Sequence, residues 1–292
     1  MIVHLVDGTY ELFRHHFGVP SHLNREGREV AATRGVVGSV LGMLEDGATH
    51  LGVATDHVIE SFRNHLYEGY KTGEDMDPVL LGQFQLLEDC LEALGVKVFA
   101  MIEYEADDAL GAAAHVAAAD PRVDEVLICT PDKDLGQCVI DGRIAQYDRR
   151  KRRRIDRAGV VEKFGVPPES IPDYLGLVGD TADGFPGLPG WGAKSASAVL
   201  AEYGHIENIP AAPGQWVVTV RSAAKLAATL QAQLDDALLF RRIATIALDA
   251  PTIGNVDELH WTGPTDRFAE LMDWIDGRGL EKRANALAER RS

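Results

Sequence analysis

The chain has 292 residues, of which 46% are hydrophobic and 25% charged, enough to bury one large core or two modest ones. No basic segment leading into an apolar stretch opens it, no run reaches about 18 apolar residues, and its three cysteines lack paired zinc spacing, which argues against a secreted disulfide scaffold, a membrane span and structural zinc. These features predict a cytoplasmic globular protein with buried thiols. The net charge of −16 speaks against a nucleic-acid partner, because phosphates are bound through Lys and Arg. That objection weakens where carboxylates are metal ligands and where the whole-chain sum hides a basic face.

In chain order, Ile2 to Val6, Leu51 to Thr55, Val96 to Ile102 and Val126 to Thr130 are short apolar runs that predict strands buried on both faces. Between them, 31–47, 77–95 and 106–119 carry helical spacing. Strands alternating with crossover helices predict a parallel α/β sheet. From about residue 160 the texture changes to loops punctuated by Gly and Pro, with helical patterns at 193–204 and 221–244 and no strong strand signal. The expected organisation is an α/β core over 1–160 and a mainly helical region over 161–292. The only biased tract is the basic run Arg149 to Arg154.

Acids follow each predicted strand: Asp7 after the first, Asp56 after the second, Glu105 after the third, and Asp132 with Asp134 after the fourth. In an open parallel sheet the carboxyl ends of the strands share one edge, so these side chains should converge there. Such a cluster needs positive charge among it, and no Lys or Arg alternation through the acidic stretches is expected to supply it. All-oxygen ligands suit Mg2+ or Mn2+, and more acids than one ion needs suggest two. The helix opened by Ala106, Asp107 and Asp108 adds its positive end. Each acid also has a plainer reading. Asp7 fits a turn, Asp107 and Asp108 fit a first helical turn, and the segments with Asp132 and Asp134 and with Asp180 and Asp183 fit capped turns. Jointly, those readings require one accident at every strand end.

Five segments then carry a resemblance: "VDGTYELFR", "SFRNHLYEGYKTG", "YEADDALG", "TPDKDLGQ" and "GDTADGFPGLPGWGAKSA". In order and spacing the chain resembles the 5′-nuclease (flap endonuclease) family over about residues 1 to 245, and in particular the 5′-nuclease domain of bacterial DNA polymerase I and its free-standing relatives, without the polymerase part. The resemblance implies a PIN-like, twisted, mainly parallel sheet with helices on both faces. It implies an arch near 63–85 and a helix-hairpin-helix variant near 174–204. It also implies a metal-dependent 5′-3′ exonuclease and flap endonuclease of replication and repair, acting on branched, duplex and single-stranded DNA or RNA primers, with a possible link to a DNA polymerase.

By the same resemblance, Asp7, Asp56, Glu105, Asp107 and Asp132 would hold one Mg2+ or Mn2+ ion. Asp132, Asp134, Asp180 and Asp183 would hold another, with Asp108 near both. Lys71 and Arg63 would contact the scissile phosphate, Asp107 and Asp132 count among the catalytic groups, and Tyr70 would stack on a terminal base. Taken alone, Lys71 and Arg63 read first as solvated surface charges, and only the matching motif reverses that reading. Gly187, Gly192, Lys194 and Ser195 nearly spell a phosphate-binding loop of nucleotide hydrolases, but Ala193 intervenes and no strand precedes them. As a glycine hairpin, Gly190, Gly192, Lys194 and Ser195 instead offer backbone N–H groups to a duplex phosphate.

Glu74, Asp75 and Asp77 stand where the family usually has a further cation, and Pro189 where it often has Lys. The basic run fits a phosphate-binding patch and a solvated turn equally. No histidine metal spacing or serine-nucleophile motif occurs. The rival readings are a non-catalytic DNA-structure-binding module and a single-strand ribonuclease on a similar fold.

Overall fold

Runs rich in Val, Leu and Ile with no polar alternation can be satisfied only by strands covered on both sides, and the first strand, IVHLVD, is buried along most of its length. The computed structural model describes residues 1–291. In chain order these form β1 (Ile2–Asp7), α1 (Gly8–Gly18), α2 (Ala31–Glu45), β2 (His50–Asp56), α3 (Phe62–Leu66), α4 (Pro78–Leu81), α5 (Phe84–Ala93), β3 (Lys97–Met101), α6 (Ala106–Ala119) and β4 (Glu125–Cys129). Then come β5 (Ile144–Asp148), β6 (Arg153–Ile155), α7 (Arg157–Phe164), α8 (Ile171–Val178), α9 (Ala193–Tyr203), α10 (Ala223–Ala232), α11 (Leu234–Ala244), α12 (Arg267–Trp274) and α13 (Arg278–Arg291).

The chain divides into two compact units, 1–59 with 73–130 and 247–292, and 60–72 with 131–246. This differs from a single boundary at 160. The hairpin β5–β6 belongs with the helical unit, and the C-terminal segment returns to the first.

In the first unit β1 pairs in parallel with β2 and with β4, and β2 with β3. The order β3-β2-β1-β4 reverses direction at β1, and the crevice at such a switch point is where open α/β sheets bind ligands. Helix α6 lies along all four strands, and α5 packs on β2 and β3. Leu5, Val53, Leu91 and Leu110 are fully or nearly fully buried. This is the α/β, PIN-like arrangement expected. Cys90 is buried, and desolvation by its apolar surroundings pushes the thiol up to about 12. Cys129 is also buried, Cys138 is partly so, and all three are free thiols.

In the second unit β5 and β6 form an antiparallel hairpin, and six helices (α3 and α7 to α11) surround a core that includes Phe185, Trp191, Leu200, Leu226 and Phe240. The pattern at 221–244 resolves into two helices broken at Gln233, whose backbone leaves the helical region (φ −128°, ψ 34°). No described helix is long and apolar enough to cross a membrane.

Candidate metal centre

In the first unit, Asp7 and Asp56 stand at the carboxyl ends of the adjacent strands β1 and β2, as the strand-end reading requires. Asp7 caps α1: Oδ1 accepts from Tyr10 N at 2.8 Å, and Oδ2 accepts from Thr130 Oγ1 at 2.9 Å. Thr130 follows β4, so this bond crosses the switch point. Asp56 Oδ1 accepts from Ala106 N at 2.8 Å, tying the end of β2 to the start of α6. Gly8 sits directly against β2, where a Cβ would meet Val53, Ala54 and Thr55 at 2.7–2.8 Å, so only glycine lets α1 start this close.

Strand β3 ends at Met101, four residues before Glu105, which is buried at the N-cap of α6. Asp107 is partly exposed in the first turn, whereas Asp108 is fully buried. Asp108 Oδ2 accepts from Glu105 N at 3.0 Å and Oδ1 from Ala247 N at 2.8 Å. Both of its oxygens therefore receive backbone N–H groups, and the side chain fastens the helix start and the C-terminal segment. That position differs from the one expected of a group facing a bound ion.

In the second unit a short helical turn over 134–138 places Asp134 at its start. The loop between α8 and α9 places Asp180 and Asp183. One carboxylate oxygen from each of Asp134, Asp180 and Asp183 lies within 4.8 Å of the others. The loop is closed by reciprocal backbone bonds between Asp180 and Phe185, at 2.9 and 3.0 Å. At Gly184, with φ of 86°, a Cβ would lie 2.2 Å from Gly69 O, so this glycine allows the loop to seat on segment 69–71. Lys71 is thereby brought to Asp183: its N–H donates to Asp183 O at 3.0 Å and its Nζ lies 2.9 Å from Asp183 Oδ1.

The plain turn readings hold here as well. Asp132, which is exposed, accepts from Asp134 N at 2.9 Å, and Asp180 Oδ1 accepts from Ala182 N at 2.9 Å. What turn geometry does not account for is Asp134. Its Oδ1 is buried with no hydrogen-bond partner among the described residues. Burial first, then the neighbouring Asp132, Asp183 and Asp180, hold its carboxyl well above the usual carboxylate range. A buried carboxylate with one oxygen lacking a hydrogen-bond donor, grouped with two further carboxylates, fits a divalent cation.

Lys133, between Asp132 and Asp134, corrects the expectation that no cation interleaves these acids. Its Nζ forms an ion pair with Asp180 Oδ2. Asp180, its hydrogen-bond and ion-pair partner, keeps the half-buried ammonium above its usual range against the opposing desolvation.

Two expected contacts with nucleic acid lie elsewhere. Arg63 is 3% exposed and donates from Nε to Ile243 O at 2.7 Å and from Nη2 to Thr245 O at 3.0 Å, closing the C-terminal turn of α11. Tyr70 is 4% exposed and belongs to the apolar core with Phe185 and Phe240, so its ring is committed to packing. Asp77 caps α4 through Val79 N at 2.8 Å and meets His16 at 3.2 Å, a structural use for one of the three unexpected acids.

Helices α8 and α9 with their glycine loop take the place expected for the helical hairpin. Ser195 Oγ caps α9 by accepting from Gly192 N at 3.1 Å. Gly190, Gly192, Lys194 and Ser195 line a groove of about 670 Å³ together with Arg221 and Lys225. The last two escaped the sequence reading, because an isolated "RSAAK" reads as an ordinary helix start.

The family model of the 5′-3′ exonuclease N-terminal, resolvase-like domain matches residues 2–165, and that of the 5′-3′ exonuclease C-terminal SAM fold matches residues 166–267. The chain belongs to the 5′-3′ exonuclease family. It is 32% identical to DNA polymerase I of Pseudomonas aeruginosa over 93% of this chain and 31% of the polymerase. For DNA polymerase I of Bacillus subtilis the figures are 33%, 89% and 29%. The chain thus spans about three-tenths of the length of these curated relatives. Among solved structures, its fold is similar to the T5 D15 protein co-crystallized with metal ions, with a TM-score of 0.64 and 18% identity over 99% of each chain. It is also similar to the catalytic core of Rad2 in complex with DNA substrate, with a TM-score of 0.61 and 15% identity over 97% of this chain and 91% of that one. For this exonuclease-family chain, the two family models part at 165.

Proposed function

We propose that this family member is a divalent-metal-dependent nuclease that hydrolyses DNA phosphodiesters from a 5′ end, including at the junction of a 5′ flap. The observation that carries the reading is the Asp134, Asp180 and Asp183 group, with its unpartnered buried oxygen. Asp134, Asp180 and Asp183, with Asp132 beside them, would hold one Mg2+ or Mn2+ ion, and Asp7, Asp56, Glu105 and Asp107 a second. Such ions supply a water of lowered pKa and charge stabilisation for the phosphoryl oxygens. Lys71, tethered at Asp183, offers a cation to the scissile phosphate. The groove at Gly190, Gly192 and Lys194 receives duplex phosphates without reading sequence, and an arch over 63–85 admits the unpaired strand. Asp108 and Arg63 hold the backbone around these groups.

One observation favours a second reading, a DNA-structure clamp without catalysis. Lys71 and Lys133 already neutralise Asp183 and Asp180. Cleavage of a 5′-labelled flap substrate, beside single-stranded and blunt duplex controls at fixed salt, separates the two. The nuclease cuts near the junction with Mg2+ and not with EDTA. Binding without cutting at any Mg2+ or Mn2+ concentration leaves the clamp.

A further inference from the structure

The hairpin β5–β6 concentrates six of the chain's 29 Lys and Arg residues into consecutive positions, Arg149 to Arg154, in a molecule of net charge −16. The register Asp148↔Arg153 makes 149–152 its tip. Asp148 organises that tip by accepting from Lys151 N at 3.0 Å. At the base of the hairpin the cations are committed: Arg153 donates to Glu162 at 3.1 Å and Arg154 to Asp156 at 2.9 Å. At the tip they project. Lys151 reaches Asp148 only at 3.3 Å with its side chain 76% exposed, and Arg150 and Arg152 are exposed without an ion pair among the described residues. Arg152 sits at φ of 50°, a left-handed position that Gly or Asn would fill with less strain. Turn geometry alone therefore does not explain an arginine there.

We infer that this hairpin tip, through Arg150, Lys151 and Arg152, grips the phosphates of duplex DNA. The inference rests on the nuclease reading above. Charge complementarity selects a polyanion, and 149–152 includes no aromatic ring of the kind on which unpaired bases stack, which favours a duplex over a single strand. The patch also continues toward the acids of its own unit. Lys163 on α7 stands within electrostatic reach of Lys151, Arg153, Lys133 and Asp132.

The test is fluorescence anisotropy of a labelled blunt duplex with the full chain in EDTA, between 50 and 200 mM KCl, for the parent, R150Q/R152Q and R150K/R152K. Each phosphate contact contributes about 0.9 to the slope of log affinity against log salt. The glutamine variant should flatten the slope by about 2 and weaken binding about 10- to 100-fold near 0.1 M salt. The lysine variant should stay near the parent, because it retains the charge. Unchanged slope and affinity in the glutamine variant overturn the inference, as does a lysine variant as weak as the glutamine one, or loss confined to binding of phosphatidylserine vesicles. The flap assay separates the two layers. A parent that cuts while the glutamine variant binds normally sinks the hairpin alone, and a parent that never cuts while the variant binds weakly sinks only the nuclease reading.

Discussion

The acids of the two units are of one residue type and meet opposite circumstances. In the first unit the oxygens of Asp7 and Asp108, and Oδ1 of Asp56, receive backbone N–H or hydroxyl donors, so these carboxylates are fastened in place and their charge is partly dispersed. In the second, Asp134 is buried against two more carboxylates with one oxygen unpartnered, and lysines stand beside Asp180 and Asp183. A hydrogen-bonded acid can anchor a fold without further help, whereas a crowded one asks for a cation. Acidic density in a sequence therefore does not by itself distinguish scaffold from metal ligand. A hydrogen-bonded oxygen keeps a lone pair for an ion, but among the described acids only the crowded group leaves a buried oxygen without a donor.

Substitutions should separate the two groups, and the largest effect is expected at the crowded one. Asp134→Ala should lower the Mg2+-dependent cleavage rate at least about a thousandfold, in line with the several kcal/mol a metal supplies to the transition state, while duplex affinity in EDTA holds. A variant that cuts within tenfold of the parent would show that Asp134 holds no catalytic ion. Next, Asp108→Asn should cost about 2–3 kcal/mol of stability in urea unfolding, because one of two buried backbone donors then faces an amide NH2. A neutral result would mean that Asp108 is not an anchor.

The pH dependence of the metal-free chain should sharpen the contrast. A carboxyl whose folded pKa is raised binds its proton more tightly in the folded state, so its contribution to stability falls as pH rises from its ordinary value near 3.8 toward the folded value. Asp134→Asn removes that loss. Its melting temperature in EDTA at neutral pH should exceed the parent's, and the difference should vanish on acidification below pH 4. A parent and variant that track each other across the range would contradict the assigned crowding. The smallest effect is expected at Lys133. Its partly exposed ammonium pairs with the buried Asp180 carboxylate and competes with any bound ion for about 1 kcal/mol, so Lys133→Met should tighten Mn2+ binding about two- to fivefold by calorimetry. Weaker binding would make Lys133 a supporting group.

The parallel strands were legible because uninterrupted apolar runs have one solution, and Asp7 and Asp56 were legible because they adjoin such runs. Neighbouring Asp107 and Asp108 were not separable. Helix α6 has eight alanines among its 14 residues and is buried around most of its circumference, so no apolar stripe in the sequence marks which acid turns inward. Arg63 and Tyr70 were misplaced for a different reason. Their surroundings, Ile243, Phe240 and Phe185, lie more than 100 residues away, and a motif read locally has no access to that packing. The division into units escaped for the same cause: residues 60–72 join 131–246 through non-local contacts such as Lys71 with Asp183. Lys133 was in plain view, and its partner, 47 residues onward, was not.

Whether the second unit's acids hold a divalent ion is decided by calorimetric titration of Mn2+ into the parent and into Asp134→Asn, both freed of metal with EDTA. The parent should bind Mn2+ saturably and the variant should lose at least one site. Identical isotherms for the two would contradict it.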